Sequence, residues 1–304
     1  MTFKYADMFC GIGGFRLALR ETDSKCVFSS DYDKDAVICY EALFGEKPYD
    51  KDIRTYDYHQ MPDIDLLCGG FPCFAFSQAG ERKGFESEDP RSQMFFELAK
   101  ILEIKKPRMF WFENVKGLLN HDEGRSFAKI LIRLGELGYD VEWFCPNAKN
   151  FGIPVNRERI FIVGHLRGTG TKTVFPFTIP TCNYDRASRE TPIFQYRFSH
   201  FEITKGIVPT LTASMGVHAN DFSFFIRNNA LRRLTPRECF RFQGLYESDI
   251  DKLIGTNLRD SALYERAGRT VFQPIVRIIA KRIECALNNT PMYEPFADKI
   301  VEDW

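Results

Sequence analysis

Strand-like and helix-like segments alternate along the first 165 residues of the chain. Short apolar runs typical of buried strands occur at 3–9, 25–30, 64–68, 109–113, 141–145 and 160–164. Apolar residues recur with helical spacing between them, at 14–20, 34–44, 94–102 and 126–137. Strands that alternate with helices predict an α/β fold with a doubly wound, mostly parallel sheet. In such a sheet, ligands bind in the crevice beyond the carboxyl ends of the strands.

The pattern changes after Arg167. Aromatic residues and turn-forming Gly and Pro steps dominate the following stretch, which lacks helical periodicity and is expected to be irregular. Helical spacing returns from Thr235, and 274–287 is expected to form one amphipathic helix. The sequence therefore predicts three parts, at 1–167, 168–232 and 233–304.

Composition narrows the class of protein. The 304 residues carry 41 basic and 41 acidic side chains, so any basic surface must be a local patch. The nine cysteines form no Cys-x-x-Cys pair, which argues against a bound metal and against a disulfide framework. No basic-then-apolar leader and no apolar run of membrane-spanning length are present, so we expect a cytoplasmic protein.

Two predicted strands end in chemically active side chains. The strand at 64–68 runs through a glycine pair into Pro72-Cys73, and the strand at 109–113 ends in Glu113-Asn114. A Pro-Cys step alone is usually a small buried hydrophobe, and Glu-Asn after a strand is usually a helix cap. Together, an accessible thiol and a neighbouring carboxyl group that can move protons indicate a catalytic pair.

A glycine-rich turn, Asp7 to Gly14, follows the first strand. It lacks the Gly-x-Gly-x-x-Gly spacing that seats a pyrophosphate, and either close approach to a ligand or a purely structural turn would explain it. Asp31, about twenty residues beyond the glycines, is placed to bind ribose hydroxyls. Tyr32 could stack on an adenine, and Asp52-Ile53 could hold the adenine's edge. A ribose and an adenine without a diphosphate suggest S-adenosylmethionine.

In the content and order of its motifs, the chain resembles the DNA (cytosine-5)-methyltransferases of the bacterial restriction–modification type. The matching segments are Asp7-Met-Phe-Cys-Gly-Ile-Gly-Gly14, Gly70-Phe-Pro-Cys73, Phe112-Glu-Asn-Val115, Gly152-Ile-Pro-Val-Asn-Arg-Glu-Arg159, Arg233 to Gly244, and Gly268-Arg-Thr270. The resemblance implies methyl transfer from S-adenosyl-L-methionine to C5 of a flipped-out cytosine in a specific short double-stranded DNA sequence. It also implies a covalent intermediate between Cys73 and C6 of the base.

The resemblance assigns three sets of residues. The catalytic set is Cys73 as nucleophile, Glu113 as the acid at N3, and Arg157 and Arg159, of which one contacts the base carbonyl and the other orients Glu113. The cofactor set is Asp7, Phe9, Gly11, Ile12, Gly14, Asp31, Tyr32, Asp52, Ile53, Gly70, Pro72, Met94 and Thr270. The DNA-binding set is Ser77, Arg82, Lys83, Thr210, Leu211, Arg233 and Arg269, with Arg186, Arg189 and Arg232 as further phosphate candidates.

The resemblance also implies roles for whole segments. The stretch 168–232 would be a target recognition domain, and 76–92 a loop that closes over DNA. The C-terminal helices would return to the first strand and complete the cofactor pocket. The expected partners are double-stranded DNA and a cognate restriction endonuclease acting on the same site, with the chain itself a monomer.

Three positions depart from the family pattern. Phe74 stands where Gln or Asn is usual, Val155 where Gln is usual, and Arg269 where Asn is usual. We interpret Phe74 and Val155 as a compensating apolar pair and Arg269 as a contact to a DNA phosphate. Two alternatives stay open. One is a tRNA cytosine-5 methyltransferase, since a related branch with the same motifs acts on RNA; the other, motivated by the departures, is a catalytically silent DNA-binding relative. The Thr210-Leu211 pair favours a DNA substrate.

Overall fold

A six-stranded sheet lies at the centre of the part of the chain that the computed structural model describes, which is 2–71, 94–179, 192–197, 200–205, 207–216, 223–227 and 230–295. Its strands are β1 (Phe3–Met8), β2 (Ser24–Ser30), β3 (Leu66–Gly70), β4 (Met109–Val115), β5 (Tyr139–Phe144) and β6 (Arg159–Leu166). Their order is β2-β1-β3-β4-β6-β5, with β1 to β4 parallel and β6 antiparallel to both neighbours. The prediction of a mostly parallel α/β sheet is confirmed.

Helices pack on both faces of this sheet. The first four are α1 (Gly14–Leu19), α2 (Lys34–Phe44), α3 (Met94–Lys105) and α4 (Arg125–Glu136), close to the predicted bounds. Strand β4 shows how the sheet separates two cores, because successive side chains point to opposite faces. Met109 and Trp111 pack into the core that contains α1, whereas Phe110 and Phe112 pack into the core that contains α3 and α4.

Four further helices follow in the C-terminal part: α5 (Pro236–Phe242), α6 (Glu247–Ile254), α7 (Asp260–Arg269) and α8 (Gln273–Asn288). Helix α5 begins with a capping box, in which Thr235 and Glu238 satisfy each other's backbone N–H groups. Helix α8 packs against α1 within one apolar core, and its first residue, Gln273, donates a hydrogen bond from Nε2 to the Gly14 carbonyl at 3.0 Å. The chain thus returns to the turn that follows β1.

A second sheet lies within the region that the sequence analysis expected to be irregular. It is antiparallel, with strands β7 (Pro192–Arg197), β8 (His200–Lys205), β9 (Ser223–Arg227) and β10 (Ala230–Arg233) in the order β10-β9-β7-β8. The expectation of an irregular fold is wrong for these residues. Runs such as Ile193-Phe194 and Phe224-Phe225-Ile226 are rich in β-branched and aromatic residues, which suit strands and show no helical period.

Short 3-10 helices connect several of these elements, at Ile53–Thr55, Tyr58–Gln60, Lys116–Leu119, His121–Gly124, Ala148–Asn150 and Ala213–Gly216. Within the described ranges, no helix combines the length and the apolar character needed to span a bilayer. Several residues named in the sequence analysis lie outside the described residues: Pro72, Cys73, Phe74, Ser77, Arg82, Lys83, Arg186 and Arg189.

Candidate active site

A cavity of about 620 Å³ opens at the carboxyl ends of β1, β3 and β4. This volume is in the range of small-molecule sites, about 300–1,000 Å³. The wall is formed by the turn after β1, the residues after β2, the ends of β3 and β4, two arginines near the start of β6, the segment 210–213 and the end of α7. Predicted site residues in that wall are Phe9, Gly11, Ile12, Gly14, Asp31, Tyr32, Gly70, Glu113, Arg157, Arg159, Thr210, Leu211, Arg269 and Thr270.

The turn after β1 leaves space on one side for a ligand. Its backbone is left-handed at Phe9 (φ 53°) and at Gly11 (φ 56°). A Cβ atom placed on Gly11 would meet no atom within 4 Å, so this side of the turn is open. A Cβ atom on Gly14 would instead lie 2.5 Å from Cγ2 of Val271, so Gly14 is needed for close packing of the segment after α7. The two glycines therefore serve different purposes.

Asp31 organises the same turn. Its Oδ2 accepts a hydrogen bond from the backbone N–H of Gly11 at 2.8 Å, and its Oδ1 accepts one from the N–H of Asp33 at 2.9 Å. Each carboxylate oxygen can accept a second hydrogen bond, so the group can also bind ribose hydroxyls. The adjacent Tyr32 ring is 64% exposed and borders the cavity. An open turn, a carboxylate and an accessible aromatic ring fit S-adenosylmethionine.

Four described residues of the predicted cofactor set lie away from the cavity wall. Asp52 pairs with Arg54 and caps a 3-10 helix, so its carboxylate is already engaged. Ile53 and Met94 are buried in the apolar core. Asp7 is fully buried beneath the turn, and burial, together with the nearby charge of Asp31, raises its pKa to about 7. The expected direct contacts of these four residues with the cofactor are therefore not supported by their positions.

Glu113 and Arg159 form an ion pair in the cavity wall. Because β6 runs antiparallel to β4, its first residue, Arg159, lies opposite Val115 at the carboxyl end of β4. Its Nε lies 3.1 Å from Oε1 of Glu113. The expectation that one arginine orients Glu113 thus agrees with the position of Arg159. The antiparallel direction of β6 therefore places the Arg159 guanidinium at the site.

The environment of Glu113 favours its protonated form. In the sheet register Gly70 lies beside Glu113, and a Cβ atom on Gly70 would lie 3.6 Å from Oε2, an ordinary van der Waals distance. Burial raises the pKa of Glu113, while the charges of Arg159 and Arg157 oppose the shift. A carboxylic acid with a raised pKa can donate a proton at neutral pH.

Asn114 is a site residue to which the sequence analysis gave no role. It is buried, and its Nδ2 donates to the carbonyl of Phe71 at 3.1 Å. Phe71 is two residues before Cys73, so this bond fixes the beginning of the segment that carries the thiol beside the strand that carries Glu113. The alternation of side chains along a strand was the available signal, because Asn114 must point away from Glu113.

Arg157 has a different role from the predicted contact with the base. Its side chain is buried (2% exposed), and its guanidinium donates to three backbone carbonyls: Leu211 at 3.4 Å, Gly268 at 3.0 Å and Thr270 at 2.9 Å. These bonds join the segment before β6 to the segment before the 3-10 helix Ala213–Gly216 and to the end of α7. Arg157 is thus a structural link between three parts of the chain.

Thr210 and Leu211, predicted to contact DNA, also take part in this link. The Thr210 hydroxyl donates to the carbonyl of Asn156, and the Leu211 side chain is buried in the core. The neighbouring Val155 is fully buried and forms a bridge with Val208. The burial of Leu211 does not support its predicted contact with DNA, whereas the contact of Thr210, which is partly exposed, stays a prediction.

Two arginines that were predicted to contact DNA phosphates are paired with carboxylates of the protein itself. Arg269 is 56% exposed but pairs with Glu265 at 2.6 Å and with Asp33 at 3.5 Å, on the cofactor side of the cavity. Arg232 forms a two-fold hydrogen-bonded pair with Glu238. Arg233 is exposed at the end of β10, and its contact with DNA stays a prediction.

Comparison with known proteins shows the family to which the chain belongs. Residues 3–193 match the family model described as C-5 cytosine-specific DNA methylase. The chain is 36% identical to the type II methyltransferase M.Bsp6I of Bacillus sp. (strain RFL6), over 92% of this chain and 98% of that protein. It is also 36% identical to the type II methyltransferase M.HpaII of Haemophilus parainfluenzae, over 94% of this chain and 90% of that protein.

The fold has a counterpart among solved structures. The crystal structure of S. pombe Dnmt2 methyltransferase covers 91% of this chain and 97% of its own, with a TM-score of 0.70 at 20% identity. At that identity the likeness concerns the fold alone. The sequence matches carry the assignment further: the chain belongs to the C-5 cytosine-specific DNA methylase family and is a type II DNA (cytosine-5-)-methyltransferase that uses S-adenosyl-L-methionine.

Proposed function

We propose that this methyltransferase acts on a flipped-out cytosine held against Glu113 and Arg159, with Cys73 as the nucleophile that adds to C6. The observation that carries the proposal is the partly buried Glu113–Arg159 pair, which borders the same cavity as the turn from Phe9 to Gly14. One cavity therefore has space for a cofactor at one end and a base at the other. The bond from Asn114 to the Phe71 carbonyl supports a position for Cys73 next to this pair.

The residues of the chain account for activation of an unreactive carbon. C5 of cytosine is a poor nucleophile because it belongs to an aromatic ring. Addition of the Cys73 thiolate to C6 removes that aromaticity, and negative charge develops on C5 and N3. Glu113, whose raised pKa favours the protonated form, gives a proton to N3, while Arg159 lies beside the carboxyl group.

Methyl transfer and release complete the cycle. When bound, S-adenosyl-L-methionine supplies an electrophilic methyl group. C5 of the activated base takes up this group as its bond to the sulfonium sulfur breaks. A base then removes the C5 proton, the Cys73 thiolate leaves by elimination, and N3 returns its proton to Glu113. Attack above the ring plane is impossible inside a stacked duplex, so the target cytosine must leave the helix.

The substrate is proposed to be a specific short sequence in double-stranded DNA. The antiparallel sheet β7–β10 is the proposed recognition element, and Arg233 at its edge is the proposed phosphate contact among the described arginines. A restriction endonuclease with the same target sequence is the proposed cellular partner. We expect the enzyme to act as a monomer in the cytoplasm.

Two departures from the family pattern have structural explanations that support an active enzyme. Val155 is fully buried beside Val208, and Arg269 is paired with Glu265 and Asp33. Both side chains therefore make contacts within the protein that explain why they are present. We therefore favour an active DNA methyltransferase over a catalytically silent relative. The tRNA alternative has no described feature in its favour.

Bisulfite sequencing of DNA from a host that expresses the chain tests the proposal. Cytosines in one short sequence should resist conversion, which would report activity, substrate and target sequence together. Cys73→Ser should abolish this protection because a hydroxyl group is a far weaker nucleophile at neutral pH. Cys285→Ser, on the distant helix α8, is the control and should retain full protection. Protection by Cys73→Ser equal to that of the control would contradict the proposed nucleophile.

A further inference from the structure

A buried arginine on α7 lies in the part of the cavity wall assigned to the cofactor. Arg266 is only 3% exposed. Its Nη1 pairs with Oδ1 of Asp33 at 2.7 Å, and its Nη2 pairs with Oε1 of Glu265 at 2.7 Å. Burial of a guanidinium costs several kcal/mol unless carboxylates compensate it, so a cation at this position calls for an explanation. The proposed reaction with cytosine makes no use of it.

Asp33 connects Arg266 to the predicted ribose-binding acid. The backbone N–H of Asp33 donates to Oδ1 of Asp31 at 2.9 Å. The Asp33 side chain also caps α2, since its Oδ1 accepts from the N–H groups of Asp35 and Ala36 at 3.1 Å. Asp33 is therefore fixed from α7 and from α2 at once. Its backbone, in turn, helps to fix the orientation of the Asp31 carboxylate.

The positive charge of Arg266 offsets negative charges close to Asp31. Asp31 lies close to the charges of Asp33 and of the buried Asp7, and the Cys10 thiol is a further titratable neighbour. Burial and the charge of Asp33 raise the pKa of Asp31, while the N–H groups of Asp33 and Gly11 and the charge of Arg266 lower it. Arg266 is the described cation that acts on Asp31 in this way.

The same cation keeps Asp33 ionised. Although burial opposes ionisation, the N–H of Ala36 and the charges of Arg266 and Arg269 hold the pKa of Asp33 below its usual range. Arg269 shares both carboxylates with Arg266 but is half exposed, so solvent screens its contribution more strongly.

We propose that Arg266 is a positioning residue for cofactor binding, which holds Asp33 so that the Asp33 N–H orients the Asp31 carboxylate toward the ribose hydroxyls of S-adenosyl-L-methionine. The charge of Arg266 also acts on Asp31 directly and favours the ionised carboxylate. The inference rests on the proposed contact between Asp31 and the ribose. It assigns to α7 a second task besides closing the cavity. The end of the C-terminal region then sets the affinity for the cofactor through charge as well as through shape.

Calorimetric titration with S-adenosylhomocysteine tests the proposal without any need for turnover. Arg266→Met keeps much of the side chain's length and removes its charge, and should weaken binding about tenfold. Arg266→Lys should restore most of the affinity because it keeps the charge. Between about pH 8 and about pH 5, the loss of affinity on acidification should begin at a higher pH in Arg266→Met than in the unmodified enzyme.

Arg282→Met is the matched control for a purely structural effect. Arg282 is a similarly buried arginine (4% exposed) on α8, and it donates to the carbonyls of Val174 and Pro176, far from the cavity wall. Its replacement should lower the melting temperature but leave the affinity for S-adenosylhomocysteine and its pH profile unchanged.

A second comparison covers the case in which Arg266→Met folds poorly. Asp33→Asn preserves a residue that caps helices well and removes the carboxylate that binds Arg266. In the Asp33→Asn background, Arg266→Gln should weaken binding of S-adenosylhomocysteine much less than the same change does in the unmodified enzyme, because the link through Asp33 is already broken. A difference as large as in the unmodified enzyme would contradict the proposed route through Asp33.

The outcomes separate this inference from the proposed site itself. If Asp31→Ala weakens binding but Arg266→Met matches Arg282→Met in affinity and pH profile, the positioning role is wrong and the proposed cofactor site stands. If Asp31→Ala also leaves the affinity unchanged, the proposed position of the ribose is wrong.

Discussion

Arg159 forms an ion pair with Glu113, with 3.1 Å between Nε and Oε1, across the antiparallel pair formed by β4 and β6. In a fully parallel sheet, the first residue of a strand would lie at the edge opposite the site. The reversal of β6 places its first residue at the carboxyl end of β4 instead. The direction of one strand thus decides whether the acid has an orienting partner.

Glu113→Gln should reduce turnover by about 10²- to 10⁴-fold while affinity for the cofactor is unchanged. The amide can donate a hydrogen bond to N3 of the base but cannot transfer a proton. Single-turnover kinetics and calorimetric titration with S-adenosylhomocysteine would measure the two effects separately. An equal loss in both would place Glu113 in the cofactor site rather than at the base.

Asp31→Ala should weaken binding of S-adenosylmethionine and S-adenosylhomocysteine alike, because both contain the same ribose. Loss of a hydrogen bond to a charged group costs about 1.5–3 kcal/mol. Asp140→Ala is the control. It removes an exposed carboxylate on β5 that pairs with Arg167, and it should bind both ligands normally. Selective loss of only one of the two ligands would contradict the ribose contact.

Arg157→Met should destabilise the fold, because it leaves the buried carbonyls of Leu211, Gly268 and Thr270 without this donor. Each unsatisfied buried acceptor costs about 1–3 kcal/mol, so the free energy of unfolding should fall by at least about 3 kcal/mol. Arg125→Met removes an exposed ion pair and should cost under about 1 kcal/mol. Denaturant unfolding of both variants would show whether Arg157 has the structural role described above.

Asp7 should make the stability of the fold depend on pH. Its pKa in the folded protein is about 7, whereas its ordinary value is 3.8, so the folded state binds the proton more tightly than the unfolded state. The stabilisation is therefore complete below about pH 4 and is lost as the pH rises toward about pH 7. The slope from this one group is at most about 1.4 kcal/mol per pH unit.

Asp7→Asn is the variant that tests this linkage. The amide does not ionise, so the part of the slope between about pH 4 and about pH 7 that comes from Asp7 should disappear. Denaturant unfolding across this range would measure it. An unchanged slope would mean that Asp7 is ionised in the folded protein throughout.

Much of the fold could be predicted because its signals are local. The strands β1 to β6 and the helices α1 to α4 follow from apolar periodicity over a few residues. Three site features were identified for the same reason: the turn at Gly11, the acid Asp31 and the acid Glu113. Each comes directly after a predicted strand or near its end. The sheet β7–β10 was missed because the absence of helical period was interpreted as the absence of regular structure.

The roles of the arginines depend on distant contacts. Arg157 and Arg159 are two residues apart, and one was expected to contact the base and the other to orient Glu113. The carbonyls that bind Arg157 are 54, 111 and 113 positions away. For Arg269, the partner Glu265 is one helical turn away and was visible in the sequence. Its other partner, Asp33, is 236 positions away. No periodicity could have revealed that pair.

We propose that Cys73 attacks C6 of the target cytosine beside Glu113. Duplex DNA that carries 5-fluorocytosine at the methylated position tests it, because fluorine cannot leave as a proton does and the intermediate should remain covalently bound. After incubation with S-adenosyl-L-methionine, mass spectrometry of the digested complex should show the nucleotide on the peptide that contains Cys73. Absence of an adduct despite normal methylation of unmodified DNA, or an adduct on another cysteine, would contradict the account.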